Sequence, residues 1–545
     1  MKSVLGVLLL LPCVTAAATI SVNSRADDLT AGNGQCTLRE AIANVNAAAD
    51  TTDGDCVAGT GAGDTIRFTF AIPATIRLTH GQLVIQRDVG IVNVAPGMLT
   101  IDGFGKTRLF EIAAGSSSMR RLTFKRGRDP GAGGALFVDA AARLILNDCV
   151  VTNNRVSGDA LAFSDGGAIY NAGTLSLNNC TLSKNTLRAK TLDGYGGAIA
   201  NAGTLTLVDC QLVDNTVRAT QSVSTQGGAI DNSGGTVALT RVTLRHNTAK
   251  VTSDGFVNGG GISIEGGTLS LADCTLSTNR AAGGVASGGA ISISGGSVSL
   301  VDCTLERNVA IGGTTQLSVG GAIHAQDSES AAGSLELTRC TLNRNLARTP
   351  GAEAESYGGG INAATDVTLT NCTLTNNRVS VCRDCLSSGG GINGDGGFTR
   401  LTNCTLSGNT APAGNLYGGG GVGGTGVMLT NSIVARSAPA DCEPGQAVDS
   451  GGHNLISDAT CFASGGSDVL NTDPQLATLG ANGGPTQTMA LCAAAGIPAG
   501  CRAASPAIDG GDDAVVGPPE NLSADQRGFP RRYGAHVDIG AYETQ

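Results

Sequence analysis

The feature that most restricts the fold of this chain is a repeat. A block reading Gly-Gly-Ala/Gly-Ile, then Thr-Leu-x-Leu, then Asn/Asp-Cys-Thr-Leu-x-x-Asn returns about every 30 residues through the middle of the 545-residue sequence. Its anchors are Ile169, Ile199, Ile230, Ile262, Ile291, Ile323, Ile361 and Ile392. The cysteine recurs as Cys149, Cys180, Cys210, Cys274, Cys303, Cys340, Cys372 and Cys404, with Val242 in the slot once. Five residues after each of these comes an asparagine: Asn154, Asn185, Asn215, Asn247, Asn279, Asn308, Asn345, Asn377 and Asn409. A fixed period of this length means a solenoid, in which each repeat covers only its neighbours.

Within a repeat, Leu175 and Leu177, then Cys180 and Leu182, alternate with polar residues. That is the period of a strand with one buried face. Gly and Asn break each repeat into three such pieces, so each holds three strands joined by turns. Stacked repeats then pair in parallel at ~4.8 Å per coil. The expected architecture is an all-β, right-handed parallel β-helix, the hand being that of parallel crossovers generally.

The degraded block from Gly418 to Ser437, with Ser432 in the Cys slot and Ser437 in the Asn slot, ends the series. Less regular strands between Thr65 and Thr123 begin it. Together they predict 12 to 13 coils and a rod of about 60 Å. The organisation expected is a signal peptide over 1–18, an N-terminal capping region over 19–63, the β-helix over 64–436 and a C-terminal region over 437–545. Both ends need caps, because a bare solenoid end exposes strand edges and core. Thr37-x-x-Glu40 is a capping box for a short helix with Leu38, Ile42 and Val45 on one face. The second cap is expected from the Gly- and Pro-rich stretch after Ser437.

Composition narrows function mainly by exclusion. A net charge of −10 without a basic run argues against nucleic acid and anionic membrane as partners. Aromatics are only 3%, so the core must be aliphatic. Lys2, an apolar run from Val4 to Val14 and Ala16–Ala18 form a secretory signal, although Cys13 leaves a lipoprotein reading open. No later stretch reaches the ~20 apolar residues of a membrane-spanning helix. The product is therefore expected to be exported.

In an exported chain, the cysteines outside the repeat read as four local disulfides: Cys36 with Cys56, Cys382 with Cys385, Cys442 with Cys461, and Cys492 with Cys501. For Cys382-x-x-Cys385, half a zinc site or a redox motif is the alternative. The repeat cysteines read as inert core, since Val242 fills the same slot. The asparagines read as a turn and amide ladder, Asn tolerating left-handed backbone and hydrogen-bonding along the stack. Asp209, Asp273 and Asp302 before the cysteines read as turn residues, and the five histidines share no repeat position. No catalytic, cofactor-binding or metal-ligating set emerges. The variable 8 to 12 residues between each Asn and the next Gly pair form the natural binding side. Tyr195, Tyr357 and Tyr417 precede glycine pairs there, with Phe256 nearby. They either stack on sugar rings or fold back over the coil edge.

Three regions resemble a group of bacterial secreted proteins. Cys36-Thr-Leu-Arg-Glu-Ala-Ile42 resembles the Cys-Ser-Leu-Arg-Glu-Ala (CSLREA) element. The Gly-Gly-Ala-Ile repeats resemble those of chlamydial polymorphic outer-membrane proteins, with Leu in place of the Phe of Phe-x-x-Asn. Asp473-Pro-Gln-Leu, Asn482-Gly-Gly-Pro-Thr486, Ser505-Pro-Ala-Ile-Asp-Gly510, Asp525-Gln-Arg-Gly528 and Asp538-Ile-Gly-Ala-Tyr-Glu543 resemble the choice-of-anchor Q domain. The resemblance implies an exported right-handed β-helix at a bacterial surface. The sequence ends at Gln545 with no sorting tripeptide, apolar tail or barrel, so release or noncovalent retention is expected. The expected role is a non-catalytic adhesin or a scaffold binding cell-surface glycan or protein. A polysaccharide lyase or glycoside hydrolase on the same fold, and a purely structural envelope protein, are the alternatives. The oligomeric state is left open.

Overall fold

The computed structural model describes residues 16–158, 164–190, 193–221, 224–314, 316–329, 331–351, 354–380, 386–412, 418–446, 448–461 and 466–545. Cys382, Cys385 and Tyr417 lie outside the described residues, as does the expected signal segment up to residue 15.

The coil beginning at Ile169 shows the plan. Its strands are Ile169–Asn171, Thr174–Asn178, Thr181–Ser183, Thr186–Ala189 and Gly194–Tyr195. Each pairs in parallel with its counterpart one coil on, giving faces of 13, 15, 14, 9 and 8 strands in that order. The protein is a right-handed parallel β-helix. The first three faces close around the main core of Ile, Leu, Val and Cys side chains. The last two exist only in the middle coils and enclose a second, narrower core of Ala, Val and Leu, including Val156, Leu187, Val217, Ala249, Val257 and Ala286. Three strands per repeat are therefore too few here. The segments between Asn and Gly-Gly, expected as loops, are paired strands that form a flange along the rod. Thr186-Leu187-Arg188-Ala189 and Thr216-Val217-Arg218-Ala219 alternate like the other strands and bury Leu187, Ala189, Val217 and Ala219.

The glycine pair closes each coil where flange meets core. Its first member holds a positive φ, as at Gly166 (+59°) and Gly196 (+70°). The second has no room for a side chain, because a Cβ on Gly197 would lie 2.1 Å from the carbonyl oxygen of Gly228. Conformation fixes one glycine and stacking distance the other.

The asparagines form a ladder through the core. The side-chain oxygen of Asn215 accepts from both the backbone N–H (3.1 Å) and the amide (3.0 Å) of Asn185, and the Asn215 amide donates to the Leu182 carbonyl at 3.0 Å. The pattern repeats from Asn154 to Asn409. Each amide thus satisfies buried backbone groups that the turns leave open. The left-handed conformation falls on the residue before each ladder position instead, for example Asn153, Lys184, Asp214 and His246. The residue before each cysteine is left-handed too, including Asp209, Asp273 and Asp302. The cysteines are buried and unbridged, and Val242 is equally buried in their column. Hydrogen bonding to Cys149 and burial push the Cys180 thiol up to about 12, and burial holds Cys340 and Cys372 well above the ordinary thiol range. Such thiols stay protonated and poorly nucleophilic.

At the N-terminal end, Thr37 and Glu40 make the reciprocal capping box of helix Leu38–Ala47. The helix covers the edge strand Leu83–Ile85, with Asn46 donating to the Val84 carbonyl at 2.8 Å. A Cys36–Cys56 disulfide ties the segment down. Strand Thr19–Val22 precedes the helix and already belongs to the second face, pairing with Asp64–Phe68.

At the other end the stacking runs past residue 436, through Ala440–Cys442, Val448–Ser450 and Leu455–Ile456. Cys461, bridged to Cys442, and Leu470 then close the core. Residues 471–545 turn back as a strap along the outside of the third face. Thr341 donates to the Gln487 carbonyl (2.6 Å), Asn371 to the Ala524 carbonyl (2.9 Å) and Thr373 to Gln526 Oε1 (2.6 Å). Beneath the strap lies a third apolar cluster that includes Ile433, Leu455, Leu476, Leu491 and Ile539. A Cys492–Cys501 disulfide closes a loop within it.

Candidate functional site

The flange creates a crease that sequence periodicity does not show. One wall is the outward column of the first face, formed by the residue after each anchor isoleucine: Tyr170, Ala200, Asp231, Ser263, Ser292, His324, Asn362 and Asn393. The other is the residue before each glycine pair on the fifth face: Asp165, Tyr195, Gln226, Asn258, Ser287, Val319, Tyr357 and Ser388. Outward positions of a solenoid are ordinarily solvated, yet Asp231 is 1% exposed, Ser263 1%, His324 6% and Asn362 0%. The flange has enclosed them.

Enclosed polar groups must find partners, and most do so along the rod. Ser263 donates to Gln226 Oε1 at 3.0 Å, and Gln226 donates onward to Glu265 Oε1 at 2.6 Å. His324 donates from Nε2 to Gln326 Oε1 at 3.0 Å and accepts at Nδ1 from Asn362 at 3.3 Å. That pair of bonds fits a neutral imidazole, and burial lowers its pKa in the same sense. Asn393 donates to Asn362 Oδ1 at 2.9 Å. Asp231 is the exception. Its Oδ1 is buried without a hydrogen-bond partner. Burial, then the neighbouring Glu265 and Asp165, hold its carboxyl well above the usual range. Burial alone pushes Asp165 up to about 6.

The crease reaches solvent at its outer lip. Glu265, Ser294 and Gln326 occupy one register column there. With Gly266 and the overhanging Asp327, Ser328 and Glu329, they line a hollow of about 450 Å³. The lip is rich in oxygen acceptors and amide donors and carries three carboxylates. Such a surface suits hydroxyl-bearing ligands. Among the described residues, no group of three or more His, Cys, Asp or Glu is placed to hold a metal ion.

The expected aromatic row divides. Tyr195 and Tyr357 share one column, but they lean into the crease half-buried, and burial raises both phenols. Tyr357 donates to Glu355 at 3.3 Å. Phe256 stands two positions earlier, in register with Ser224 and Val285, and is 50% exposed. It shares the side of the strand that the tyrosine column occupies but stands in a separate column, because parallel register fixes which residues stack.

Asp231, His324, Asn362 and Gln326 were not among the expected site residues. For Asp231, His324 and Asn362 the signal was the position directly after each anchor isoleucine, where Asp, Ser, His and Asn interrupt an otherwise apolar and small neighbourhood, and Gln326 follows His324 two positions along the same strand. A second, shorter amide ladder was also missed: Asn171 donates to Asn201 Oδ1 (2.6 Å) and Asn201 to Asn232 Oδ1 (2.7 Å). Its sign was Ile-x-Asn in three successive repeats.

The C-terminal motif residues hold the strap. Arg531, fully buried, lies 3.4 Å from Glu543 Oε2, and donates to the Asp538 carbonyl at 2.6 Å and to Asn371 Oδ1 at 3.3 Å. Gln526 donates to Thr341 Oγ1 and Thr486 Oγ1, both at 2.9 Å. Arg527 pairs with Asp525 at 2.7 Å.

Among the described residues, no helix is long and apolar enough to cross a membrane. The chain matches no protein-family model, and no curated protein is significantly similar to it.

Proposed function

We propose that this protein is an exported β-helix of a bacterial surface that binds glycan or protein, without transforming it, along the flange side of the rod. The observation that carries this reading is the polar column at the crease and its open lip at Glu265, Ser294 and Gln326. A polar ligand laid along the rod meets a new outward side chain of the lip column at each ~4.8 Å coil step. The resemblance to secreted bacterial surface proteins supports the same reading, as do the disulfides, which suit an oxidising compartment. The test is a glycan array and a cell-binding assay with the full chain and with Glu265→Ala/Gln326→Ala. Loss of the bound signal in the double variant supports the reading. A signal the variant does not change overturns the site, and absence of any signal leaves the role of a structural envelope component. Export is checked by cell fractionation.

One observation favours a catalytic alternative. Asp165 at about 6 and the buried Asp231, two coils further along the crease, are carboxyls in unequal environments of the kind that acid–base hydrolysis uses. Release of reducing ends from a polysaccharide, abolished by Asp165→Asn, would establish it.

A further inference from the structure

The first coils carry a charge opposite to the rest of the rod. Residues 64–128 hold ten Lys or Arg against four Asp or Glu, a net of +6 in a chain of −10. Part of this charge converges on one exposed ring. The turn after strand Leu99–Asp102 places Phe104 at φ +53°, with its side chain 51% exposed. A bulky residue in the left-handed region is strained, and such strain persists where something holds or uses it. The backbone N–H of Phe104 donates to Asp102 Oδ1 at 2.9 Å and that of Gly105 to the Arg126 carbonyl at 2.7 Å, so the turn is fixed from below. Half of the ring surface is thus open to solvent rather than packed into the core.

Three cations surround that ring. The Arg126 guanidinium lies 5.1 Å from its centroid, Arg77 5.7 Å and the Lys106 ammonium 5.9 Å. Lys125 is in register with Asp102, which is in register with Arg77, so it adds a fourth positive charge on the next coil. The one carboxylate in the group, Asp102, is committed to Arg126, whose Nε donates to it at 2.9 Å. Asp27, behind Thr79, is committed to Arg39 at 2.6 Å. The cations are thus left with charge uncompensated around an exposed aromatic. Beside them is a hollow of about 500 Å³ whose lining includes Arg77, Leu78, Thr79, Phe104, Lys106 and Thr107.

We propose that this hollow binds a carboxylated sugar unit of an acidic polysaccharide, with the apolar face of the sugar ring on Phe104 and its carboxylate between Arg77 and Lys106. A bare anion such as phosphate is served by cations and N–H groups and has no use for an exposed ring, whereas a ring-shaped anion uses both. Thr79 and Thr107 supply hydroxyls for the sugar's own. The hollow lies on the third-face side of the N-terminal coils, whereas the crease lies against the flange of the middle coils. The two sites therefore stand or fall separately.

The experiment is titration of the full chain with an oligogalacturonate, against dextran and dextran sulfate, at two salt concentrations. Phe104→Gly is the main variant. It removes the ring and relieves the positive φ, so thermal stability should hold or rise while affinity for the oligogalacturonate falls about tenfold. Arg77→Gln/Lys106→Gln should lower affinity further and flatten its salt dependence, with no loss of stability, because like charges are being separated. Glu265→Ala/Gln326→Ala should leave this binding unchanged. Equal affinity for dextran sulfate that Phe104→Gly does not alter means simple ion exchange and overturns the proposal. Dextran binding as tight as oligogalacturonate binding, or no binding to the oligogalacturonate at all, overturns it as well.

Discussion

The third face of the rod meets two different fates with one sequence. In the middle coils its outward column reads Thr181, Gln211, Thr243, Thr275 and Thr304, all at least partly exposed. From the very next coil the same column reads Thr341, Thr373 and Thr405, and these are 0%, 0% and 1% exposed beneath the strap. Apart from Gln211 the residue type is the same, as are register and backbone. What changes is that residues more than a hundred positions downstream lie across the face, so a threonine that is merely solvated in one coil becomes a required hydrogen-bond partner in another. Burial, and with it the cost of substitution, is set here by a distant segment and not by the repeat.

The largest expected effect comes from detaching that segment. Arg531→Met removes a fully buried guanidinium and leaves Glu543 and the Asp538 carbonyl without it. Breaking a buried ion pair from one side costs about 3–5 kcal/mol. Limited proteolysis should then cut within 471–545 while the coils up to Ile456 resist, and calorimetry should show a separate low-temperature transition. A variant that melts as one unit at the parental temperature would show that the strap does not depend on this arginine.

The next effect tests the paired threonines directly. Thr373→Val leaves Gln526 Oε1 without its 2.6 Å donor, an unsatisfied buried group worth about 1–3 kcal/mol. Thr275→Val, at the equivalent, partly exposed position, should fall within about 0.5 kcal/mol of the parent and can even gain from β-propensity. Chemical denaturation of both variants gives the comparison. Equal losses would mean that the strap contributes nothing at this column.

These contrasts mark where sequence reading stopped. The three-sided coil was legible because Leu175, Leu177, Cys180 and Leu182 alternate in every repeat, and alternation is a local property. Three of the four expected local disulfide pairs, Cys36–Cys56, Cys442–Cys461 and Cys492–Cys501, were legible because at most twenty positions separate their cysteines. The flange was not, although Thr216-Val217-Arg218-Ala219 alternates too. Its core is built from Ala and Val, whose burial signal is weak, and the segment varies in length from coil to coil. The strap left no local mark at all on Thr341, Thr373 or Thr405. The crease followed from the flange: Asp231 and His324 occupy outward positions that only a second layer encloses, so their chemistry could not be seen before that layer was. Phe104 and its cations were overlooked for a simpler reason. Arg77, Lys106 and Arg126 are spread over three coils and make no run in the sequence.

The smallest effect distinguishes the two regions by how each treats a buried carboxyl. Glu543 within the strap is pushed up to about 7 by burial, yet it accepts from the backbone N–H groups of Asp538 (2.9 Å) and Tyr533 (3.1 Å) and faces Arg531. Asp231 under the flange is raised by burial and by Glu265 and Asp165, and its Oδ1 has no partner. A carboxyl whose folded pKa lies above its unfolded value binds its proton more tightly when folded, so stability is greatest at low pH. It declines as pH rises from the unfolded pKa toward the folded one. For Glu543 that window runs from 4.5 to about 7; for Asp231 it opens at 3.8. Asp231→Asn removes the group that titrates and with it the repulsion from Glu265 and Asp165. The variant should therefore melt above the parent at pH 7.5, with the gap closing as pH falls toward 4. Glu543→Gln discards a partner of Arg531 and should melt below the parent at pH 7.5. If Asp231→Asn instead lowers the melting temperature at every pH, the crease holds a proton that the fold needs. The flange would then resemble the strap in depending on its buried acid.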